Sequence, residues 1–314
     1  MKIVLALGGN ALLDSDQTGT YEEQVKNVRT VARQVMRIVD RGHQLVITHG
    51  NGPQVGNIAI QESSTTEVPE NPLHVMDAMT QGQIGYLIQR ELGNMLRAVG
   101  SKRGVVSLVC QVYVDKADPA FRNPTKPIGP FYGEEESKKV AAKKGFTIRA
   151  VARAGTRRYR RVVPSPEPVR IVEADAISRI LGAGPILIAG GGGGIPVVRN
   201  AKGEYEGVDA VIDKDLCAEK LAEAVRADRL LVLTNVDKVK LDYGTPKERA
   251  VDSMTVSEAR GYLKQGQFPA GSMGPKVVAC MRFAEWSGKV GIIASLDQAV
   301  EALDGSAGTR VVPG

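Results

Sequence analysis

The chain has 314 residues, 43% of them hydrophobic, and a formal net charge of +6, enough apolar material to bury a real core in one large α/β domain or two smaller ones. Its three cysteines, Cys110, Cys217 and Cys280, are odd in number, far apart and in no CxxC spacing, which argues against a disulfide framework or a zinc site and fits a reducing cytoplasm. No run approaches the ~20 apolar residues that span a membrane, and the apolar start is too short for a signal peptide. A soluble, cytoplasmic protein is expected.

In chain order, Ile3–Ala6 reads as a strand that ends in the loop Leu7-Gly8-Gly9-Asn10. Tyr21–Arg41 places Val25, Val28, Ala32, Val35 and Val39 on one face, the period of an amphipathic helix. Leu45–Thr48 is a second strand, followed by His49-Gly50-Asn51-Gly52-Pro53, where the proline suits the first turn of a helix. Strand, helix and strand form a βαβ unit, which crosses over right-handed. Val75–Arg97 reads as a helix and Val105–Val114 as a strand too apolar to be half-exposed.

The rhythm breaks from Asp115 to about Pro168. Pro119, Pro124, Pro127 and Pro130 crowd a short stretch, followed by a charged helix (Glu134–Lys144) and a hairpin-like pair, Thr147–Ala152 and Thr156–Val163. This predicts a small lid, residues 115–168, inserted in a single domain spanning 1–314. Ten basic residues and no acidic one fall between Lys138 and Arg161; removing those ten charges from the net +6 leaves the rest of the chain at −4. Such a run reads first as a solvated face, with a role near an anionic small ligand or nucleic acid as alternatives. Only Phe146 and Tyr159 are there to stack on bases, which speaks against nucleic acid.

The rhythm then returns with a buried strand (Pro185–Ala189) ending in Gly190–Gly194, a helix (Lys214–Arg226), a strand (Leu230–Asn235), a helix (Pro275–Trp286), a strand (Gly291–Ala294) and a possible edge strand (Thr309–Val312). Alternation of this kind predicts a mostly parallel sheet with helices on both faces, which binds ligands at the carboxyl ends of its strands. Three glycine loops lie there. Glycine lets a ligand approach backbone N–H groups, and a following helix turns its positive dipole end toward an anion.

Standard catalytic signatures are missing: no GxxxxGK[ST], no GxGxxG opening a helix and no GxSxG. His43, His49 and His74 make no metal spacing, and His49 beside a glycine loop reads as a structural hydrogen-bonder. What stands out is lysine. Lys214 lies between two carboxylates at a helix start, Lys276 follows a glycine turn in another first turn, and Lys126 sits in a proline-stiffened loop. A cation in a first helical turn is unfavourable against the dipole unless an anion is near, so these lysines point to phosphate, with surface salt bridges as the alternative.

The segments ALGGNAL, ITHGNGPQVGN, FRNPTKPIGPFY, RRVVPSP, GGGGIPVV, VIDKD and GSMGPK, in that order and from end to end, resemble the carbamate kinases of the amino-acid kinase family. Many relatives carry a lysine two positions before the paired glycines, where this chain has Ala6; the resemblance implies Lys214 as the substitute. Asn235 stands where many relatives have aspartate. The resemblance implies a three-layer αβα sandwich around a mainly parallel open sheet with a protruding lid, a homodimer, and reversible phosphoryl transfer between ATP and carbamate giving ADP and carbamoyl phosphate. Mg²⁺ is expected on the nucleotide phosphates, with no direct protein ligand. Gly8, Gly9 and Asn10 would donate to the transferring phosphoryl group, and Gly50, Asn51 and Gly52 would hold carbamate. Lys214 and Lys276 would neutralise phosphates, Asp215 would orient them, and Lys126 would arrive on the lid from the carbamate side. Gly191, Gly192, Gly193 and Gly194, with Tyr243, Met273 and Gly274, would line the nucleotide site. A kinase of the same fold with another small acceptor, a nucleotide-binding regulator without turnover, and an RNA-binding protein are the alternatives.

Overall fold

The computed structural model describes residues 1–9, 12–13, 17–151, 155–269 and 271–314. Asn10, part of the first glycine loop, and Arg153 of the basic run therefore lie outside the described residues, as does Ala152 of the expected hairpin.

The first part of the chain gives β1 (Lys2–Leu7), α1 (Tyr21–Val39), β2 (Gln44–His49), α2 (Gly52–Ser63), α3 (Leu73–Ala98), β3 (Val105–Ser107) and β4 (Gln111–Val114). The excursion holds β5 (Lys126–Tyr132), α4 (Glu134–Lys144), β6 (Ile148–Ala150) and β7 (Tyr159–Val163). Then follow β8 (Pro168–Ile171), α5 (Ala174–Gly182), β9 (Ile186–Ile188), β10 (Ile195–Arg199), β11 (Tyr205–Gly207), α6 (Lys214–Val225) and β12 (Arg229–Thr234). The last part is β13 (Val239–Leu241), β14 (Arg249–Val251), β15 (Ser253–Thr255), α7 (Val256–Lys264), α8 (Met273–Ser287), β16 (Gly291–Ser295), α9 (Ala299–Leu303) and β17 (Thr309–Val312).

Eight strands form the central sheet in the order β15-β17-β16-β12-β1-β2-β9-β3. All neighbours are parallel except β16 and β17. In β1, Ile3, Leu5 and Leu7 point into the core under α1, α3 and α9, while Val4 and Ala6 point into the core under α6 and α8. A strand buried on both faces must be apolar at every position, which is why the central strands read as continuous hydrophobic runs. Helix α1 starts on a capping box: the Thr20 hydroxyl accepts the Glu23 N–H at 3.2 Å and the Glu23 carboxylate accepts the Thr20 N–H at 2.9 Å. The layers make an α/β sandwich, with a three-stranded lid sheet, β5-β7-β6, carrying α4.

Two expected strands differ. Val105–Val114 is two strands in two sheets: β3 closes the edge of the central sheet, and β4 joins a second sheet of order β11-β10-β4-β8. The buried Gln81 side chain causes the break, accepting the Cys110 N–H at 2.8 Å and donating to the Cys110 carbonyl at 3.1 Å. The chain turns there, and Val109 is 56% exposed rather than buried. Thr309–Val312 is interior, because β15 pairs on its far side.

Members of the basic run are engaged both within the lid and across to the body. Arg160 donates twice to the Gly129 carbonyl, where the β5–β7 register shifts, and Arg157 donates to the Phe131 carbonyl. Lys138 pairs with Glu134 and Glu135, and Lys144 with Glu70.

Candidate active site

The carboxyl ends of β1, β12 and β16 open onto a cleft of about 580 Å³ whose lining includes Gly8, Gly9, Lys214, Thr234, Asn235, Asp237, Ser272, Lys276 and Asp297. A second cleft of about 360 Å³ shares Thr234, Asn235, Ser272 and Lys276 with the first, and adds Lys238, Lys240, Tyr243, Gln267, Phe268 and Met273. Lys276 thus stands where the two meet. Both volumes lie in the range of small-ligand sites.

At the floor of the first cleft one carboxylate holds two ammonium groups. Asp215 Oδ1 accepts Lys214 Nζ at 2.5 Å and Oδ2 accepts Lys276 Nζ at 2.8 Å. The local sequence explains the arrangement. Asp213 caps α6, its side chain accepting the Asp215 N–H at 2.9 Å, so Lys214 and Asp215 occupy the first turn. Lys276 occupies the first turn of α8, whose N-cap Ser272 makes no side-chain cap bond. Burial works against charge on Asp215, yet Lys214 and Lys276 together hold its carboxyl below the usual range. Burial also pulls the Lys214 ammonium down, aided by Lys276 and opposed by Asp215. Within this trio two ammoniums outnumber one carboxylate, and both lysines stand at helix N-termini, where an anion such as phosphate is favoured.

The second glycine loop is pressed against the first. A Cβ on Gly50 would stand 3.1 Å from the Cα and N of Gly9 and 3.4 Å from Lys214 Cδ, so a side chain there would push the two loops apart. The Gly8 N–H donates to the Leu233 carbonyl and the Gly50 N–H to the Leu7 carbonyl. These two amides stitch the loops to the sheet, so the Gly8 N–H, expected to face the phosphoryl group, is engaged by Leu233 here. Gly9 lines the cleft, and Gly52 is exposed at the uncapped start of α2.

The Asn51 side chain turns inward, donating to Asp77 at 3.0 Å and Thr80 at 2.9 Å on α3. Burial, with the charge of Asp209, pushes the Asp77 carboxyl up to about 8 against the bond from Asn51, which lowers it. His49 donates from Nδ1 to the Gly50 carbonyl at 3.0 Å, and burial lowers its pKa to about 4. It is a neutral, structural histidine.

Gly191–Gly194, expected on the nucleotide site, lies away from both clefts, buried beneath the second loop. A Cβ on Gly191 would stand 2.3 Å from His49 Nε2, and one on Gly192 (φ 70°) 2.3 Å from Asn51 Nδ2. It is the seat on which the loop rests. Tyr243 and Met273 line the second cleft, whereas Gly274 is buried and its N–H donates to Pro269. Lys126, the first residue of β5, reaches from the lid to 3.7 Å from Asp213 beside Lys214.

Sequence reasoning missed Thr234, Asp237, Ser272, Ser295 and Asp297 on the first cleft, and Lys238, Lys240, Gln267 and Phe268 on the second. Thr234 and Ser295 carried a usable signal: each is the polar residue that ends an apolar parallel strand. The others come together only through the fold.

A mainly parallel sheet flanked by helices, with a lysine-lined cleft at its strand ends, is the α/β class that binds ligands at that edge, and the sequence model described as "Amino acid kinase family" matches residues 1–295. The chain belongs to the amino acid kinase family. It is 51% identical to the carbamate kinase of Pyrococcus furiosus and 52% identical to that of Thermococcus kodakarensis, with 99% of this chain and 99% of each relative covered. Its structure is similar to the carbamate kinase from Giardia lamblia bound to AMP-PNP, with a TM-score of 0.94 and 43% identity over 100% of this chain and 98% of the other.

Proposed function

We propose that the protein transfers a phosphoryl group reversibly between ATP and carbamate, giving ADP and carbamoyl phosphate. The observation that carries this is Asp215 binding both Lys214 and Lys276 in the cleft that meets a nucleoside-sized one at Lys276. Phosphoryl transfer has a loose transition state with charge spread over the equatorial oxygens, so positioning and fixed positive charge do most of the work. Carbamate is already an anion. One of its oxygens attacks the γ-phosphorus as the bond to the β-phosphate oxygen breaks, and no proton need be removed. Neutral His49, tied to its own loop, fits a site that asks for no general base.

In this reading Lys214 and Lys276 hold the transferring group and the β-phosphate, and Asp215 keeps both ammoniums aimed. Gly9 and the start of α2 at Gly52 offer backbone to the phosphoryl group and to carbamate, and Lys126 covers the acceptor from the lid. Tyr243 and Met273 flank the nucleoside. Mg²⁺ suits the site as an ion brought by the nucleotide, with Asp237 and Asp297 on the cleft lining. When bound it supplies further charge neutralisation on the phosphates. No described helix is long and apolar enough to cross a membrane. A homodimer is part of the proposal, supported by exposed Tyr86, Val99 and Val109 around the free edge strand β3; light scattering at twice the chain mass tests it.

The deciding experiment mixes ADP, carbamoyl phosphate and Mg²⁺ and follows ATP. ATP formation is expected. Its absence, with turnover of acetylglutamate or UMP when ATP is supplied, would move the chain to another acceptor.

A further inference from the structure

Strand β5 of the lid packs on α2, Lys144 pairs with Glu70, and two further contacts run from the lid to carboxylates of one segment, residues 208–213, which leads directly into Lys214. The two contacts are unlike. Asp209 Oδ2 accepts Arg161 Nη2 of β7 at 2.7 Å, and the guanidinium lies 3.9 Å from the centre of the Phe146 ring, with the Arg161 side chain only 16% exposed. The other Asp209 oxygen accepts the Leu73 N–H at 2.9 Å and lies 3.7 Å from His74 Nδ1. That oxygen caps α3, whose own N-cap, Pro72, supplies no side-chain bond. Asp213 and Lys126, by contrast, are 3.7 Å apart, beyond hydrogen-bond reach, and the lysine is 38% exposed. One contact is an anchored, stacked, hydrogen-bonded ion pair; the other is an ammonium resting near a carboxylate and free to exchange partners.

The strand register links them. On the β5–β7 pair Ile128 lies opposite Arg161 and Lys126 opposite Val163, so pinning Arg161 fixes the neighbouring strand two residues from Lys126. We propose that the Asp209–Arg161 pair is the fixed pivot of the lid, and that it sets where the Lys126 ammonium meets the phosphoryl acceptor. Both are positioning residues. The inference rests on the acceptor-side reading of Lys126 given above.

Asp209→Asn separates the two duties of this carboxylate, because the amide oxygen still caps α3 while the charge that holds Arg161 is gone. The variant is compared with the parent using ADP and carbamoyl phosphate, with Arg161→Gln measured in parallel so that a folding failure of one leaves the other. The expected result is a loss of about tenfold in kcat/KM for carbamoyl phosphate, with KM for ADP within about twofold. On a Lys126→Ala background the same substitution should add less than about twofold, since the group it positions is absent. Equal changes in both KM values, or a full tenfold loss repeated on Lys126→Ala, would overturn the pivot. If Lys126→Ala itself leaves carbamoyl phosphate use unchanged, the acceptor-side reading of that lysine fails instead.

Discussion

Asp215 sits between Lys214 and Lys276 and favours the charged form of Lys214. Its two oxygens are fully committed, one to each ammonium, at 4% side-chain exposure. Asp215→Asn would leave two cations facing each other without a counter-charge. Lys214, already pulled down by burial, would then lose its proton at a lower pH. The expected outcome is a lower kcat and an alkaline limb of the pH–rate profile displaced to lower pH; an unmoved limb would show that Asp215 does not control the lysine. Lys214→Ala and Lys276→Ala should each reduce kcat by ~10²–10³, the range for losing one electrostatic donor. These three residues were legible in the sequence because a lysine in a first helical turn needs an explanation, and VIDKD supplies the carboxylate next door. Asp209 was not legible. Its partners Leu73 and Arg161 lie 136 and 48 positions away, and only the lid's return path brings them together.

Strands and helices were readable wherever one element carried its own pattern, as in α1 with its apolar face and capping box, or α4 with acids at its start and lysines at its end. The readings failed where one element is shaped by another. Gln81 of α3 splits an apolar run into two sheets, and the third glycine run is packed beneath the second loop, away from both clefts. The same dependence gives the second loop a pH signature. Folded Asp77 keeps its proton to about pH 8, against 3.8 for the ordinary carboxyl, so stability falls as pH rises through that window. Folded His49 releases its proton near pH 4 rather than 6.5, so its contribution rises with pH between those values. Of these two slopes only that of Asp77 remains above pH 6.5, so its contribution to stability falls toward pH 8. Urea unfolding at pH 6.5 and 8 should show that loss in the parent and not in Asp77→Asn, whose amide imitates the protonated acid.

At the scale of the whole molecule, sheet order places every glycine loop, both lysine-bearing helices and the lid segment on one side, so chemistry scattered over most of the sequence meets in one crevice. The alternation of strands and helices was enough to predict that side. The second sheet and the covering of β17 by β15 were not, since short strands such as Ser253–Thr255 have no periodicity of their own. The three cysteines are all buried within the packed layers, with no exposed surface. Burial pushes the Cys110 thiol up to about 12 and raises Cys217 and Cys280 as well, so none offers a reactive thiolate near neutral pH. A colorimetric thiol reagent should therefore titrate no cysteine in the native protein and three after denaturation. A chain that hides its own thiols is ready for a single reporter: Lys139→Cys, on the exposed face of α4, would be the one thiol a maleimide dye can find, so the lid could be followed in solution with no native cysteine removed.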